Sequence, residues 1–455
     1  MDSTTSLANV GDQVLSGWGG TPRSNSALAI ARDESEVSAL VRAAGPRGVL
    51  ARGAGRAYGD AALNAGGVAV DLTPMSYATV SGDMVTVGAG ARLSDLIEVL
   101  LPAGLFVPVS PGTSRTTMGG LVAADVHGKN HHRDGSWGRH VSSVRLVDGQ
   151  GTVRDLSPET DDAQLYWATI GGMGLTGIIT EVTFRAISAP SATMIVSTTR
   201  HRDLQGVMDE LRRADQTSRY SVAWIDSVGL GGQIGRGIVS RGEHAVAGTR
   251  PDRRGSTFRL PIRPSRNVLG TTSIGAFNEF WLRFAGRPHS DRPESLWSFF
   301  YPLDRLDNWN ALYGPAGFVQ YQVVVPDDAG HVIEEILAKL RDAGAPSFLT
   351  VLKRFGPGNQ APLSFPAPGW TLALDLPAGN PRLAPALDQL DNAVLAAGGR
   401  HYLAKDARAS ALTIARGYPR LAEWEESRRH LDPQGVFQSD LARRLRLGAS
   451  SRGNV

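Results

Sequence analysis

The segment Arg52-Gly-Ala-Gly-Arg-Ala-Tyr-Gly-Asp60 sets three glycines among two arginines, a tyrosine and an aspartate, directly after the apolar run Gly48-Val-Leu-Ala51. A backbone this bare of side chains can approach an anion closely and turn its N–H groups toward it, which is how a loop holds a diphosphate. Ordinary tight turns draw on the same residues, so the segment alone leaves both readings open. Further glycine-rich segments narrow the choice. Val109-Ser-Pro-Gly-Thr113 is followed by Thr117-Met-Gly-Gly120 and by Ala124-Asp-Val-His-Gly-Lys-Asn-His-His132; Ile170-Gly-Gly-Met-Gly-Leu-Thr-Gly-Ile-Ile179 comes later. None has the glycine spacing of a βαβ dinucleotide fingerprint with an acidic residue about 20 positions on. None ends in the Gly-Lys-Ser/Thr of a triphosphate loop. Glycine loops drawn from several places imply an elongated nucleotide cofactor threaded between strands. His131 and His132 are adjacent on a glycine-flanked loop, where two imidazoles rarely converge on one ion, so no metal site is expected. Gln320 and Gln322 alternate on a predicted strand and therefore share one face, either lining a site or facing solvent.

The elements that must position these residues follow from the hydrophobic pattern. Helices are predicted over residues 34–44, with Val37, Leu40 and Val41 on one face, and over 93–101, 201–213, 331–343 and 383–397. Strands are predicted at 68–72, 84–88, 177–184, 318–325, 347–352 and 371–376. A further pair, 144–147 and 152–156, flanks the hairpin signal Asp148-Gly-Gln-Gly151. This is an α+β pattern, and 455 residues suit two or three domains. The expected division is a cofactor domain over residues 15–190, a substrate domain over 191–398 built on an antiparallel sheet covered by helices, and a segment 399–455. Residues 1–14 are expected to be disordered and the Arg-, Pro- and Gly-rich stretch 245–273 to be a mobile loop.

Composition bounds the function. A net charge of +3 carries no overall nucleic-acid footprint; the basic clusters at residues 250–266 and at Arg443, Arg444, Arg446 and Arg452 read as solvated surface, with attraction to anionic lipid or phosphate as the alternative. The chain has no cysteine, which excludes disulfides, thiolate nucleophiles, Cys-ligated zinc and iron–sulfur clusters. No secretory signal is visible at Met1-Asp-Ser-Thr-Thr-Ser6, and the uncharged stretch 163–180 is too rich in glycine and polar residues to span a bilayer. Membrane contact is therefore expected from the side, on the cytoplasmic face unless a partner carries the protein outward.

Residues 52–60, 110–113, 117–120 and 171–177 together resemble the FAD-binding domain of vanillyl-alcohol-oxidase-type flavoproteins, also called PCMH-type. Longer runs resemble one branch of that family, the actinobacterial oxidases of polyprenylphosphoryl ribose. They are Asp125-Val-His-Gly-Lys-Asn-His-His132, Tyr313-Gly-Pro-Ala-Gly-Phe-Val-Gln-Tyr-Gln322, Asn359-Gln-Ala-Pro-Leu-Ser-Phe365, Tyr402-Leu-Ala-Lys-Asp406 and Ser439-Asp-Leu-Ala-Arg-Arg444. The resemblance covers residues 15–447 and implies an FAD enzyme that oxidises the ribose C2 hydroxyl of polyprenylphosphoryl-β-D-ribofuranose to the 2-keto form. An NAD(P)H-dependent keto-reductase partner would complete epimerisation to the arabinose donor of cell-wall arabinan.

By the same resemblance, Ala51, Arg52, Gly53, Ala54, Gly55, Arg56, Ala57, Tyr58, Gly59, Asp60 and Ala61 hold the FAD diphosphate. Gly112, Thr117, Met118, Gly119, Gly120, Ala124, Asp125, Val126 and His127 wrap the rest, with Ile179 near the adenine and Tyr402 returning to the flavin. Covalent members attach the flavin to a histidine of the first loop; this loop has none, so the FAD is expected to be non-covalent. Lys405 is expected to stabilise the reduced ring and His127 to act as base or as an orienting group. Gly128, Lys129, Trp224, Gln320, Gln322, Lys353, Phe355, Thr371, Ala373 and Asp375 are expected to line the substrate pocket. Ala373 stands where mycobacterial relatives have the cysteine captured by nitroaromatic inhibitors, Thr371 where they have asparagine and Phe300 where they have tyrosine. Two alternatives remain at this stage: a sugar or aldonolactone oxidase with a soluble substrate, and a flavin-free scaffold that binds polyprenyl phosphates.

Overall fold

The computed structural model describes residues 11–229, 233–246, 255–259, 264–285 and 287–448. In the first part of the chain two small sheets face a shared core. One has the order Gly11–Ser16, Arg23–Ile30, Val68–Asp71, Val49–Arg52; its first pair is antiparallel and the other two are parallel. The crossover between parallel strands passes through the helix Glu34–Arg42, whose start is fixed by Asp33 accepting from the N–H groups of Ser35 and Glu36 at 2.9 Å each. Its buried residues include Val37, Leu40 and Val41, the face read from the sequence. The second sheet is antiparallel, in the order Ala78–Ser81, Met84–Gly88, Ile178–Arg185, Val141–Val147, Val153–Leu156. Leu93–Leu100 and Met118–Ala123 add apolar side chains to its core.

An eight-stranded antiparallel sheet dominates the second part, in the order His289–Ser295, Thr193–His201, Gly237–His244, Tyr220–Ile225, Thr350–Phe355, Gly369–Pro377, Phe318–Val325, Arg400–His401. Leu204–Thr217, His331–Asp342 and Leu383–Ala396 cover one face, where Tyr321, Val323 and Val325 pack against Ile333, Leu337 and Leu387. The period-2 alternation of a strand then turns Gln320 and Gln322 to the opposite face. Both amide side chains are buried there.

After Arg400–His401 the chain runs back to the first sheets. Val49 N–H donates to Val436 O at 2.9 Å, and Gln438 N–H donates to Val49 O at 3.1 Å. Helices Ala411–Gly417, Leu421–Leu431 and Asp440–Leu445 join a core that includes Leu50, Ala61, Ala168 and Tyr402.

Two expectations need correction. Residues 11–14 are not disordered: Gly11–Ser16 is a strand paired with Arg23–Ile30, tied down by Leu15 packing with Leu63 and Ala69. The stretch 245–273 is not loop throughout its described residues: Phe258–Arg259 pairs in parallel with Leu306–Asp307, and a helix begins at Thr271. Residues 1–10, 247–254 and 260–263 lie outside the described residues, so nothing follows for the expectations that fell on them.

Candidate active site

The glycine loop starts where Val49–Arg52 ends, at the carboxyl edge of parallel strands, the usual place for a ligand crevice in such sheets. Arg52 turns away from the crevice and closes the loop on itself, donating to Ala62 O and Ser16 O at 2.9 Å each. Gly55 sits at φ +63°, and a Cβ there would meet Arg52 Nη2 at 2.6 Å. A Cβ on Gly53 would stand 2.0 Å from Thr117 Oγ1, so the loop lies directly against the start of Met118–Ala123. The backbone N–H groups of Ala54, Gly55, Arg56 and Ala57 have no protein acceptor among the described residues. These residues wall a cavity of about 330 Å³, continued by Gly112, Gly119, Gly120, Ala124, Val126, Gly174, Gly177 and Ile179. Unpartnered donors on a wall nearly free of side chains suit a diphosphate, and the long apolar trough beyond suits the remainder of a flavin dinucleotide.

The far end of the cavity is polar. His127 is buried, with Nε2 2.9 Å from Gln322 Nε2 and Nδ1 3.1 Å from Lys353 Nζ. Lys353 also donates to Gly128 O at 3.5 Å, and Gln322 donates to Thr371 Oγ1 at 3.2 Å. Phe355, Tyr402 and Phe365 surround the imidazole at 4.7, 5.4 and 5.8 Å between ring centres. Burial holds the His127 pKa well below its usual value, helped by the charges of Lys353, His131 and Lys405, so the ring is neutral. Burial likewise brings Lys353 down to about 7.

A neutral imidazole has one N–H and one lone pair. With the Gln322 amide N–H donating to Nε2, the ring proton sits on Nδ1 and points at a neutral Lys353 amine. If Lys353 carries the proton, Nδ1 becomes the acceptor and Gln322 must present its carbonyl oxygen instead. The tautomer of His127, the rotamer of Gln322 and the charge of Lys353 are thus one linked variable.

Lys405 lies beside this group, its ammonium 3.7 Å from the centre of the Tyr58 ring. Burial lowers its pKa, while the Asp375 charge raises it; burial raises that of Asp375. Asp375 accepts a hydrogen bond from the Gln320 amide, and its other oxygen is buried without a hydrogen-bond partner among the described residues. The flanking backbone is fixed: Tyr58 N–H donates to Ala404 O at 3.0 Å, Tyr402 N–H to Gln322 O at 3.0 Å and Tyr402 Oη to Ala124 O at 2.9 Å.

A family model described as FAD binding domain matches residues 26–157, and one described as D-arabinono-1,4-lactone oxidase matches residues 377–445. The decaprenylphosphoryl-β-D-ribose oxidase of Mycolicibacterium smegmatis is 41% identical over 455 residues, covering 95% of this chain and 97% of its own. This chain belongs to the decaprenylphosphoryl-β-D-ribose oxidase family. An uncharacterised Streptomyces coelicolor protein is 37% identical over 371 residues, 78% of this chain and 100% of its own. An uncharacterised oxidoreductase from the fasciation locus of Rhodococcoides fascians is 31% identical over 140 residues, 30% of this chain and 32% of its own. The protein is therefore an FAD-dependent oxidoreductase, and the flavin-free scaffold reading falls away.

Within this family member the cavity gathers many residues singled out from the sequence. From the cofactor set it takes Ala51, Gly53, Ala54, Gly55, Arg56, Ala57, Tyr58, Ala61, Gly112, Thr117, Gly119, Gly120, Ala124, Val126, His127, Ile179 and Tyr402; from the others, Gln320, Gln322, Lys353, Thr371, Ala373 and Lys405. Others stand behind the wall. Asp60 takes two 2.7 Å bonds from Arg444, and a Cβ on Gly59 would meet Asp406 O at 2.1 Å. Met118 is core. Asp125, at φ +39°, accepts from Ser136 Oγ at 2.9 Å, Gly138 N–H at 2.8 Å, Asn359 Nδ2 at 2.7 Å and the Ser364 hydroxyl, which fixes the turn ahead of His127. Phe355 backs His127 and His131, the latter at 4.4 Å between ring centres. Lys129 is half-buried, with its ammonium over the Phe299 ring at 4.2 Å and donating to the Phe299 carbonyl. Trp224 is half-buried on Tyr220–Ile225, outside the lining. The adjacent histidines diverge: His132 Nε2 contacts Ser218 O at 3.0 Å while His131 packs on Phe355.

The sequence reading missed the outer end of the cavity, formed by Trp18, Arg115, Leu303, Asp304, Leu306 and Trp309. Arg115 joins the cofactor side to the 302–307 segment, donating to Asp307 Oδ1 at 2.6 Å and to Asp304 O at 2.7 Å. The Arg56 guanidinium stacks 4.2 Å over Trp18. No local motif marks this end; its only signal was an arginine next to the recognised glycine segments.

Proposed function

We propose that this enzyme oxidises the C2 hydroxyl of polyprenylphosphoryl-β-D-ribofuranose to the ketone, the first half of an inversion completed by a separate NAD(P)H-dependent keto-reductase to give the arabinose donor for cell-wall arabinan. The observation that carries the reading is the convergence of His127, Lys353, Lys405, Gln320 and Gln322 at one end of the cavity, with Asp375 behind Gln320. When bound, FAD supplies the acceptor for the C2 hydride. Residues 15–190 hold the cofactor, 191–398 the substrate, and 399–455 return Tyr402 and Lys405 to the junction.

His127, kept neutral by burial, takes the hydroxyl proton at Nε2, where the substrate hydroxyl replaces the Gln322 N–H, and passes its Nδ1 proton to the Lys353 amine. Lys405, held over Tyr58, supplies the positive charge that a reduced cofactor calls for. Gln320 and Gln322 orient the ribose hydroxyls through donors and acceptors already placed by Asp375 and Thr371. The substrate is lipid-linked, and no helix among the described residues is long and apolar enough to cross a membrane, so we place the enzyme at a membrane surface as a peripheral protein.

The match of residues 377–445 to D-arabinono-1,4-lactone oxidase favours a second reading, oxidation of a soluble sugar lactone with oxygen. Anaerobic mixing of the FAD-loaded enzyme with polyprenylphosphoryl ribose decides between them. The first reading expects rapid loss of oxidised-flavin absorbance that depends on the lipid-linked substrate. Bleaching by free aldonolactones, with peroxide on admission of oxygen and none with the lipid, would establish the second.

A further inference from the structure

The helix Thr271–Phe280 and its π-helical continuation Trp281–Ala285 carry two faces, of which the fold buries one. Ile274, Asn278 and Leu282 are buried at four-residue spacing. Ile274 packs in the cluster of Trp309, Tyr313 and Phe318, against Trp18, Leu303 and Leu306 at the outer end of the cavity. On the outward side stand Phe277, Phe280, Trp281 and Phe284, spaced i, i+3, i+4 and i+7, the pattern of a helix face meant to be covered. Phe280 and Phe284 are 55% and 56% exposed. They lie 5.0 Å apart, Phe277 stacks on Trp281 at 6.0 Å, and Phe277 leans on Phe348 at 5.0 Å. Four aromatic rings gathered on one exposed surface mark an interaction site.

The surrounding charge says what covers it. Between Arg250 and Arg292 the sequence has nine arginines against three acidic residues. Among the described residues, Arg266, Arg283, Arg287 and Arg292 are exposed, while the helix's own Glu279 is taken up by Arg236 at 3.0 Å and Arg283 at 2.7 Å. Aromatic rings ringed by arginines match the two layers of a lipid surface, rings at the headgroup–acyl boundary and cations at anionic headgroups.

We propose that the face formed by Phe277, Phe280, Trp281 and Phe284 seats this enzyme on an anionic bilayer. Because the opposite face of the same helix packs in the cluster that holds Trp18, Leu303, Leu306 and Trp309 of the cavity's outer end, a polyprenyl tail leaving that end passes into the bilayer the aromatics occupy. The tail argument rests on the lipid-linked substrate proposed above; the docking surface itself does not.

The test is co-sedimentation of the FAD-loaded enzyme with vesicles of phosphatidylcholine alone or mixed with phosphatidylglycerol. The parent should bind the anionic vesicles, less as salt rises. The double variant Phe280→Ser/Phe284→Ser should bind roughly a hundredfold more weakly. Arg266→Gln/Arg287→Gln should lose roughly tenfold on anionic vesicles only. Both variants should keep the parent's flavin spectrum and its turnover of detergent-dispersed substrate. Unchanged binding by the phenylalanine variant, or a parent that binds neither vesicle, would overturn the proposal. So would a parent that self-associates through the patch, shown by dimers that the same variant dissolves. Vesicle binding without turnover of the lipid-linked ribose would leave the docking surface standing and sink the substrate reading instead.

Discussion

Replacing Lys353 with methionine should stabilise the protein while disabling it. Burial brings this ammonium to about 7 from an ordinary 10.5, a difference of about 5 kcal/mol between carrying the charge in the folded and the unfolded chain. Below about pH 7 both states are protonated and the folded state bears the whole penalty. As pH rises from 7 to 10.5 the folded protein sheds the proton first, so the parent gains about 1.4 kcal/mol of stability per pH unit from this group. Methionine fills nearly the same volume without the charge. It forfeits the contacts with His127 Nδ1 at 3.1 Å and Gly128 O at 3.5 Å, about 1 kcal/mol each. Net, Lys353→Met should be about 3 kcal/mol more stable than the parent at pH 6, with the advantage gone by about pH 9. Urea denaturation of the FAD-loaded proteins at the two pH values measures this, and flavin bleaching by substrate measures the loss of function. Equal stability at pH 6, or an advantage that grows with pH, would refute the assignment of a desolvated ammonium at this position.

Other outcomes follow from the same geometry. Acid or heat denaturation should release all FAD to the supernatant, because the first loop carries no histidine and the chain no cysteine; yellow colour left on the precipitate would contradict this. Lys405→Met should lower kcat by roughly a hundredfold or more with KM little changed, while the flavin stays bound. A change confined to KM would assign Lys405 to substrate binding alone. Arg444→Met strands the Asp60 and Asp406 carboxylates that it bonds at 2.7 and 2.8 Å, and should cost about 3–5 kcal/mol in unfolding experiments. Arg444→Lys should recover only part of that loss, because one ammonium cannot replace the fork on Asp60.

What could be read in advance was whatever local pattern controls. The helices Glu34–Arg42 and His331–Asp342 announced themselves through apolar spacing, and Gln320 with Gln322 through strand alternation. The glycine loops were legible because a cofactor that needs bare backbone leaves a compositional trace. Gly11–Ser16 was not, since only Leu15 of its GDQVLS sequence is buried and the strand exists through its ladder to Arg23–Ile30. The strand expected at residues 347–352 appears at Thr350–Phe355, because its register is set by pairing with Gly369–Pro377. Placement on that ladder is what brings Lys353 to His127. Arg115 and Trp18 were invisible for a related reason: their partners Asp304, Asp307 and Arg56 lie far off in sequence or across a bend, and no spacing rule connects them.

The return of the chain to its own beginning has a consequence for biosynthesis. The wall behind the glycine loop is closed by Val436 and Gln438 on Val49 and by Arg444 on Asp60, contacts that span nearly the whole polypeptide. A ribosome must therefore have passed residue 444 before the wall behind the nucleotide cradle can close. Flavin loading is thereby expected to wait for this return, and a nascent chain halted before residue 436 should emerge colourless however much FAD surrounds it.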